Sequence, residues 1–316
     1  MTNSQILDAI NRATTVMIVG HMRPDGDCLG SAFALREYCR KLGKIADAGS
    51  PTPVPDAYSF IRDVSTFNKF TQRRYDLFIA VDCGAKDRIG RLEGYFNTAK
   101  ETVCIDHHEG HNGFATYNCV VSSASSTCEL IFDILEPTGA IDNNIADYLF
   151  MGLSTDTGHF MHSNTTPKVL YTAYKLALFG ADVHGLSTEL YRSRTREKTK
   201  LIAKAIDSMR FYENGRVALI AMTREMLEEC HIEANDTEGI IDYAIAVNGV
   251  EIGVSICEEK PNDFKVSFRS RGRRVDVVAA VFGGGGHMVA AGCRVSGKKE
   301  DVTDKILKAI RDTEEA

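Results

Sequence analysis

Four short stretches of the chain gather acids and imidazoles at close spacing. HMRPDGD (21–27) carries His21, Asp25 and Asp27, and FIAVDCG (78–84) carries Asp82. CIDHH (104–108) carries Asp106, His107 and His108, and STDTGHF (154–160) carries Asp156. If they converge, four or five carboxylates share one small space. Like charges that close must protonate or bind a cation. Carboxylates with imidazoles suit a divalent first-row metal, with Mn²⁺ a natural choice. So many donors fit two ions better than one, and paired ions are a standard device for in-line displacement at phosphorus. Taken singly, each stretch has a plainer reading. Asp-Gly is a common turn, an aspartate after a strand is often a helix cap, DHH could be a surface loop, and TDTG a polar cap. Their joint placement carries the chemical reading.

That placement depends on the elements between them. TVMIVG (15–20), DLFIAVD (76–82) and TVCID (102–106) are short apolar runs, each followed by or ending in an acidic cluster. Helical patterns lie near 1–13 and 28–42 and at 124–137, 143–156 and 167–180. Apolar strands alternating with helices predict an α/β fold with a mostly parallel sheet covered by helices. Ligands bind beyond the carboxyl ends of such strands, where three of the clusters fall. The fourth closes a helix.

The pattern changes after about residue 190. YRSRTREKTKLIAKAIDSMRF reads as a charged connector helix over 191–212, solvated by default or else guiding a substrate backbone. RVALIAM (216–222), GVEIGVSICEE (249–259) and DFKVSFRSRG (263–272) read as strands, with turn signals at ENG and PND. A helix at VDVVAAVF, a glycine run, a strand at GCRVSG and a final helix complete a smaller α+β domain. The expected division is 1–190, 191–212 and 213–316.

The glycine run is Gly283, Gly284, Gly285 and Gly286, followed by His287. Glycines permit close backbone approach, and successive N–H groups can form an anion nest. No GK[ST] follows, so a P-loop is not implied. The plain alternative is a flexible linker. Arg269, Arg271, Arg273 and Arg274 lie nearby in sequence, and arginine matches phosphate well. Alternation puts Arg269 and Arg271 on one face. Arg273 and Arg274 read as a solvated edge.

Composition narrows the class. The 316 residues are 44% hydrophobic and 25% charged, with net charge −6. A broad basic surface for long nucleic acid is not indicated. Nine scattered cysteines without a CxxC pair suggest neither a zinc ribbon nor a disulfide framework. With no signal-peptide pattern and no spanning apolar run, a reducing cytoplasm is the expected location.

HMRPDGDCLGS, VDCG, IDHH, STDTGHF and GGGGH occur in the order that marks the DHH phosphoesterases. The chain resembles that superfamily over nearly its whole length, with a DHHA1-type C-terminal domain. It looks like the NrnA group, which degrades nanoRNA and dephosphorylates pAp. The resemblance implies a metal-dependent hydrolase of phosphoester bonds. His21, Asp25 and Asp82 would hold one ion. Asp27, Asp82, His107 and Asp156 would hold the other, with Asp82 as the bridge. His108 would act on the scissile phosphate, supported by Asp106. Arg269, Gly283–Gly286 and His287 would clasp the substrate from the second domain, in a cleft. A water activated by two ions, Mn²⁺ by donor type, would attack phosphorus. Position 23 is Arg and position 28 is Cys where the group usually differs; neither is an assigned ligand, and Cys28 reads as a packed thiol. His111, His159 and His162 read as supporting residues.

The substrates so implied are RNA of a few nucleotides and pAp. Cleavage of pGpG or cyclic dinucleotides would use the same metal core. A RecJ-type exonuclease and a type II pyrophosphatase rank lower, for want of an added DNA-clamping domain and because of GGGGH respectively. A non-catalytic nucleotide sensor is the alternative of another class, but every assigned ligand is present. A homodimer is compatible with the resemblance, with no interface evident in the sequence.

Overall fold

The computed structural model describes residues 2–237 and 239–314. The chain divides between Ser193 and Arg194 into two compact units.

The first unit opens with α1 (Asn3–Arg12), then β1 (Thr15–Val19), α2 (Gly26–Lys41) and β2 (Ile45–Gly49). Next come β3 (Leu77–Val81), α3 (Glu93–Thr98), β4 (Glu101–Asp106) and β5 (Tyr117–Val120). Four helices close it: α4 (Thr127–Leu135), α5 (Asn143–Asp156), α6 (Pro167–Leu178) and α7 (Val183–Arg192). The sheet order is β2-β1-β3-β4-β5, with every pairing parallel. Alternate residues of each central strand bury on opposite faces. Val16, Ile18, Ile79 and Ile105 join the core under α2, α4 and α5, while Met17, Val19, Phe78 and Cys104 pack with Ile89, Leu92 and Phe96. Both faces are therefore apolar, which explains continuous rather than alternating strand sequences. After β2 the chain returns to the other side of β1, so the order reverses between β1 and β3. That reversal is the switch point at which such sheets bind ligands.

Two glycines set how closely the helices behind the sheet approach. A Cβ on Gly30 of α2 would lie 2.3 Å from the Tyr148 carbonyl oxygen of α5. A Cβ on Gly152 of α5 would lie 2.3 Å from Cys128 Sγ and 2.8 Å from Asp27 Oδ1. Any side chain there would separate α2, α4 and α5, and with them Asp27 on α2 and Asp156 on α5.

The second unit contains α8 (Arg196–Asp207), β6 (Arg210–Tyr212), β7 (Val217–Met222), α9 (Arg224–Glu229) and α10 (Asp242–Ile245). It continues with β8 (Ile252–Lys260), β9 (Asp263–Ser270), α11 (Asp276–Ala280), β10 (Gly285–His287), β11 (Ala290–Ser296) and α12 (Lys299–Glu314). Its mixed sheet runs β10-β11-β9-β8-β7-β6, with only β7–β8 parallel among the described pairings. One face buries Val254, Ile256, Val266 and Phe268 with Val302 and Ile306; the other buries Ala218 and Ile220 with Leu201 and Leu227.

The stretch 191–212, read as one connector helix, is not continuous. It holds the end of α7, a break at 193–195, α8 and β6. Thr195 caps α8 by accepting from the Lys198 N–H, and Leu201 and Ala205 of α8 are fully buried in the second unit. Among the described residues no helix is long and apolar enough to cross a membrane. All nine cysteines are unpaired and buried.

Candidate metal centre

The chain leaves β1 at the switch point and His21 follows two residues later. The His21 ring is buried, with Nδ1 2.9 Å from the Met22 carbonyl oxygen. If Nδ1 carries the proton, Nε2 is free as a donor atom toward a cation. Nε2 lies 3.3 Å from Asp82 Oδ2 and 3.7 Å from Asp25 Oδ1. Asp25 is half-exposed and also caps α2, accepting from the Cys28 N–H at 3.0 Å. The helix-cap reading and the cluster reading thus both describe Asp25.

Asp82 follows β3 with φ at +57°, a left-handed conformation. Such a backbone costs a non-glycine residue on the order of 1–3 kcal/mol, and Asp tolerates it better than most. The conformation accompanies a divergent carboxylate. Oδ2 faces His21, while Oδ1 lies 3.5 Å from His107 Nε2 and 3.6 Å from His108 Nδ1.

Asp27, in the first turn of α2, is fully buried. Its Oδ2 accepts from the Thr127 N–H at 2.7 Å and its Oδ1 from the Cys128 N–H at 2.8 Å. These are the first free donors of α4, whose N-terminus favours an anion. The Thr127 hydroxyl also donates to Asp82 Oδ1 at 3.3 Å. His107 Nε2 lies 3.2 Å from Asp156 Oδ2 and 3.9 Å from Asp27 Oδ2. Asp156 ends α5, and its carbonyl accepts from the Asn164 side chain at 3.2 Å. Asp106 is buried at the end of β4; its Oδ1 sits 2.8 Å from His108 Nδ1, and its Oδ2 has no hydrogen-bond partner among the described residues.

Burial opposes charge on His21, yet hydrogen bonds to Asp25 and Asp82 outweigh it and raise its pKa to about 10. Burial likewise opposes charge on His107, but Asp156 and Asp82 raise it to about 11. The hydrogen bond to Asp106 raises His108. Asp82 is held well below the usual carboxylate range: burial acts upward, and His107 and His21 outweigh it. Burial and the charges of Asp156 and Asp82 push Asp27 well above that range. Burial is also the main cause raising Asp156 to about 6. Protons on the imidazoles and acids thus occupy the electrostatic role that a divalent cation would take.

The donor set fits such a cation. Three groups of donor atoms each lie within 4.8 Å of one another: His21, Cys28 and Asp82; Asp82, His107 and His108; Asp27, His107 and Asp156. Asp82 and His107 each belong to two of these groups. Cys28 joins the first by position, while its thiol is packed on Gly20, where a Cβ would come within 2.0 Å of Sγ. His111, His159 and His162 bond to Cys104, Ser154 and the Asp156 carbonyl respectively.

Two consequences are measurable. Replacing Thr127 with Val removes the hydroxyl that holds Asp82 and keeps the N–H that holds Asp27. Metal affinity should fall about tenfold, as for other residues that orient ligands, with little change in melting temperature. Metal titration of the variant checks this; unchanged affinity would count against the role of the hydroxyl. The second consequence concerns pH. His21 in the folded chain has a pKa of about 10, above its usual 6.5. Its stabilisation of the metal-free protein is full below 6.5 and is lost as pH rises to 10. His107 acts in the same direction, up to about 11. Urea unfolding of metal-free protein should therefore show stability declining from about pH 7 to about 10, and a flat profile would contradict it.

The second unit collects the other predicted residues. In the register, Arg269 of β9 faces Ala290 of β11, which faces His287 of β10. Directly opposed residues of antiparallel strands share a face, so Arg269 and His287 flank a small alanine on one face. Arg271 lies beyond the end of β9 and donates to the Ile245 carbonyl. Arg273 and Arg274, read as a solvated edge, pair with Glu251 and Asp276. The glycine run is not a linker, because Gly285–His287 forms an edge strand. A Cβ on Gly284 would lie 2.2 Å from the Gly292 carbonyl oxygen. Strand approach therefore accounts for at least part of the run.

Sequence reading did not single out Thr127, the α4 N-terminus, Gly30 or Gly152. A signal for the first two was present: Ser126 precedes Glu129 at capping-box spacing, and Ser126 does cap α4.

A parallel doubly wound sheet whose switch point is crowded with acids and imidazoles defines an α/β protein with a metal-type carboxylate–imidazole site. Residues 15–153 match the DHH family, N-terminal domain, and residues 199–316 match the DHHA1 domain. The chain thus carries a DHH N-terminal domain followed by a DHHA1 domain. It is 26% identical over 311 residues to the bifunctional oligoribonuclease and PAP phosphatase NrnA of Bacillus subtilis, covering 96% of each chain. It is 28% identical over 309 residues to the protein of the same name from Thermus thermophilus, covering 94% of this chain and 89% of that one. Its fold is that of a crystallised exopolyphosphatase-related protein from Bacteroides fragilis, with a TM-score of 0.91 at 23% identity, covering 98% and 95% of the two chains.

Proposed function

We propose that the protein is a metal-dependent phosphoesterase that hydrolyses short oligoribonucleotides to 5′-mononucleotides and pAp to AMP. The observation that carries this reading is the carboxylate of Asp82, whose two oxygens face different donor sets. Full-length similarity to oligoribonuclease and PAP phosphatase relatives supports the substrate class.

In this reading His21, Asp25 and Asp82 hold one ion, and Asp27, Asp82, His107 and Asp156 hold a second. Mn²⁺ suits these donors. When bound, such ions make water nucleophilic near neutral pH and offset charge on phosphoryl oxygens. The chain's own residues do the rest. Asp106 orients His108, 2.8 Å away, and His108 faces the phosphate and stabilises its developing charge. Asp27, fixed by α4, and Asp82, fixed by Thr127, hold the donor geometry without reorganisation. Arg269, the glycine run Gly283–Gly286 and His287 contribute substrate binding, the arginine toward phosphate.

A substrate panel with Mn²⁺ tests the reading: 5′-labelled RNA di- to pentanucleotides, a long RNA, pAp, pGpG and cyclic di-AMP. Rapid release of mononucleotides from short RNA, together with turnover of pAp, is expected. Turnover of pGpG or cyclic di-AMP alone would move the role to second-messenger breakdown. Binding without turnover would point to a nucleotide sensor.

A further inference from the structure

Helix α5 ends on Asp156, and the chain then turns back on itself. Gly158, His159 and Phe160 are consecutive left-handed residues, with φ of +55°, +56° and +65°. Two of them are not glycine, and such a run persists only where surrounding contacts hold it. The His159 N–H donates to the Ser154 carbonyl at 2.7 Å, and the Phe160 N–H donates to the Thr157 hydroxyl at 3.2 Å. A Cβ on Gly158 would lie 2.3 Å from His162 Nε2, so the His162 ring closes over the turn. The turn brings Asn164 back to the end of α5.

The Asn164 side chain meets two backbone carbonyls there. Its Nδ2 donates to the Asp156 carbonyl at 3.2 Å and to the Ser125 carbonyl at 3.2 Å. An amide nitrogen carries two hydrogens, so both donors are used. Turning the amide over would set its oxygen against two carbonyl oxygens, and the network thus fixes its orientation. Its Oδ1 is buried and has no partner among the described residues. The donors, not the acceptor, are what this side chain supplies.

Both carbonyls stand behind acids of the centre. Asp156 carries its own carboxylate at the end of α5. Ser125 precedes Ser126, the cap of α4, and the first N–H groups of α4 hold Asp27. Asp27, His107 and Asp156 form one donor group. We propose that Asn164 is a positioning residue for this group, setting the separation of Asp27 and Asp156 by clasping the backbone behind each. The inference rests on the reading that these acids hold the second ion. Neither bond of the clasp supports His21 or Asp25, so its loss should weaken one ion and spare the other.

Mn²⁺ titration of the chelator-stripped full chain, followed by the paramagnetic resonance of the free ion, tests this without turnover. Wild type should bind two ions. Asn164→Leu keeps the approximate size of the side chain and removes both donors. It should weaken one ion by about 10–100-fold, the usual loss for a group that orients a ligand, and leave the other unchanged. Asn164→Ser keeps one donor and should fall between the two. If Asn164→Leu does not fold, Asn164→Ser decides: selective weakening of one ion supports the clasp, and its absence overturns it. Equal weakening of both ions overturns the proposal, because a merely structural role would act on both. Two ions in wild type with unchanged affinities in the variants overturn the proposal alone. A wild-type chain that binds fewer than two ions overturns the two-ion reading and the proposal with it.

Discussion

Asp82→Asn should lower turnover of a diribonucleotide by at least about a thousandfold while the chain remains folded. The magnitude follows from what is lost. One carboxylate faces both donor sets, so removal of its charge weakens both, and mutational losses of preorganised electrostatic groups reach about 10²–10³ singly. The fold should survive for a local reason. Position 82 sits at φ +57°, and Asn occupies that region as readily as Asp. The amide keeps an oxygen that can accept from the Thr127 hydroxyl, now 3.3 Å from Asp82 Oδ1. Steady-state kinetics with bound-metal analysis and circular dichroism would check all three parts. Turnover within about tenfold of wild type would falsify the bridging role.

Asp27→Asn should behave differently, losing stability as well as activity. Both oxygens of Asp27 accept backbone N–H groups of α4. An amide offers one oxygen and two donors, so either the Thr127 or the Cys128 N–H must face an NH₂. The site is fully buried, and a buried unsatisfied donor costs about 1–3 kcal/mol. Urea unfolding should shift by that amount, and turnover should fall by about a thousandfold. Equal stabilities for wild type and Asp27→Asn would show that α4 does not depend on this carboxylate. The two variants together separate chemistry from support: the first tests the charge alone, the second tests charge and helix anchorage at once.

What could be read from the residues follows from where information is stored. β1, β3 and β4 are runs of apolar residues buried on both faces, each followed by or ending in its acid, so strand and site announced themselves together. β2, IADAG (45–49), escaped notice, because alanine, aspartate and glycine have low strand preference, and it forms by pairing with β1. β5, YNCV, is only four residues long, and the glycine edge strand is hidden by the same low preference as β2. The acids and imidazoles of the centre were legible by type and spacing. Their supports were not, because Thr127 and Cys128 act through backbone N–H groups that any sequence provides. Gly30 and Gly152 act by what they lack, and only packed helices reveal the need. The connector expected over 191–212 is broken because Thr195 starts a new helix whose apolar side, Leu201 and Ala205, belongs to the second unit's core.

The central claim is that the cluster around Asp82 hydrolyses phosphoesters with bound divalent ions. The most direct measurement is a stepwise titration of Mn²⁺ into chelator-stripped protein, following diribonucleotide turnover and bound ion together. The account predicts no turnover in the stripped protein and full activity only as a second ion per chain binds. Undiminished turnover in the stripped protein, or full activity with no ion bound, would contradict it.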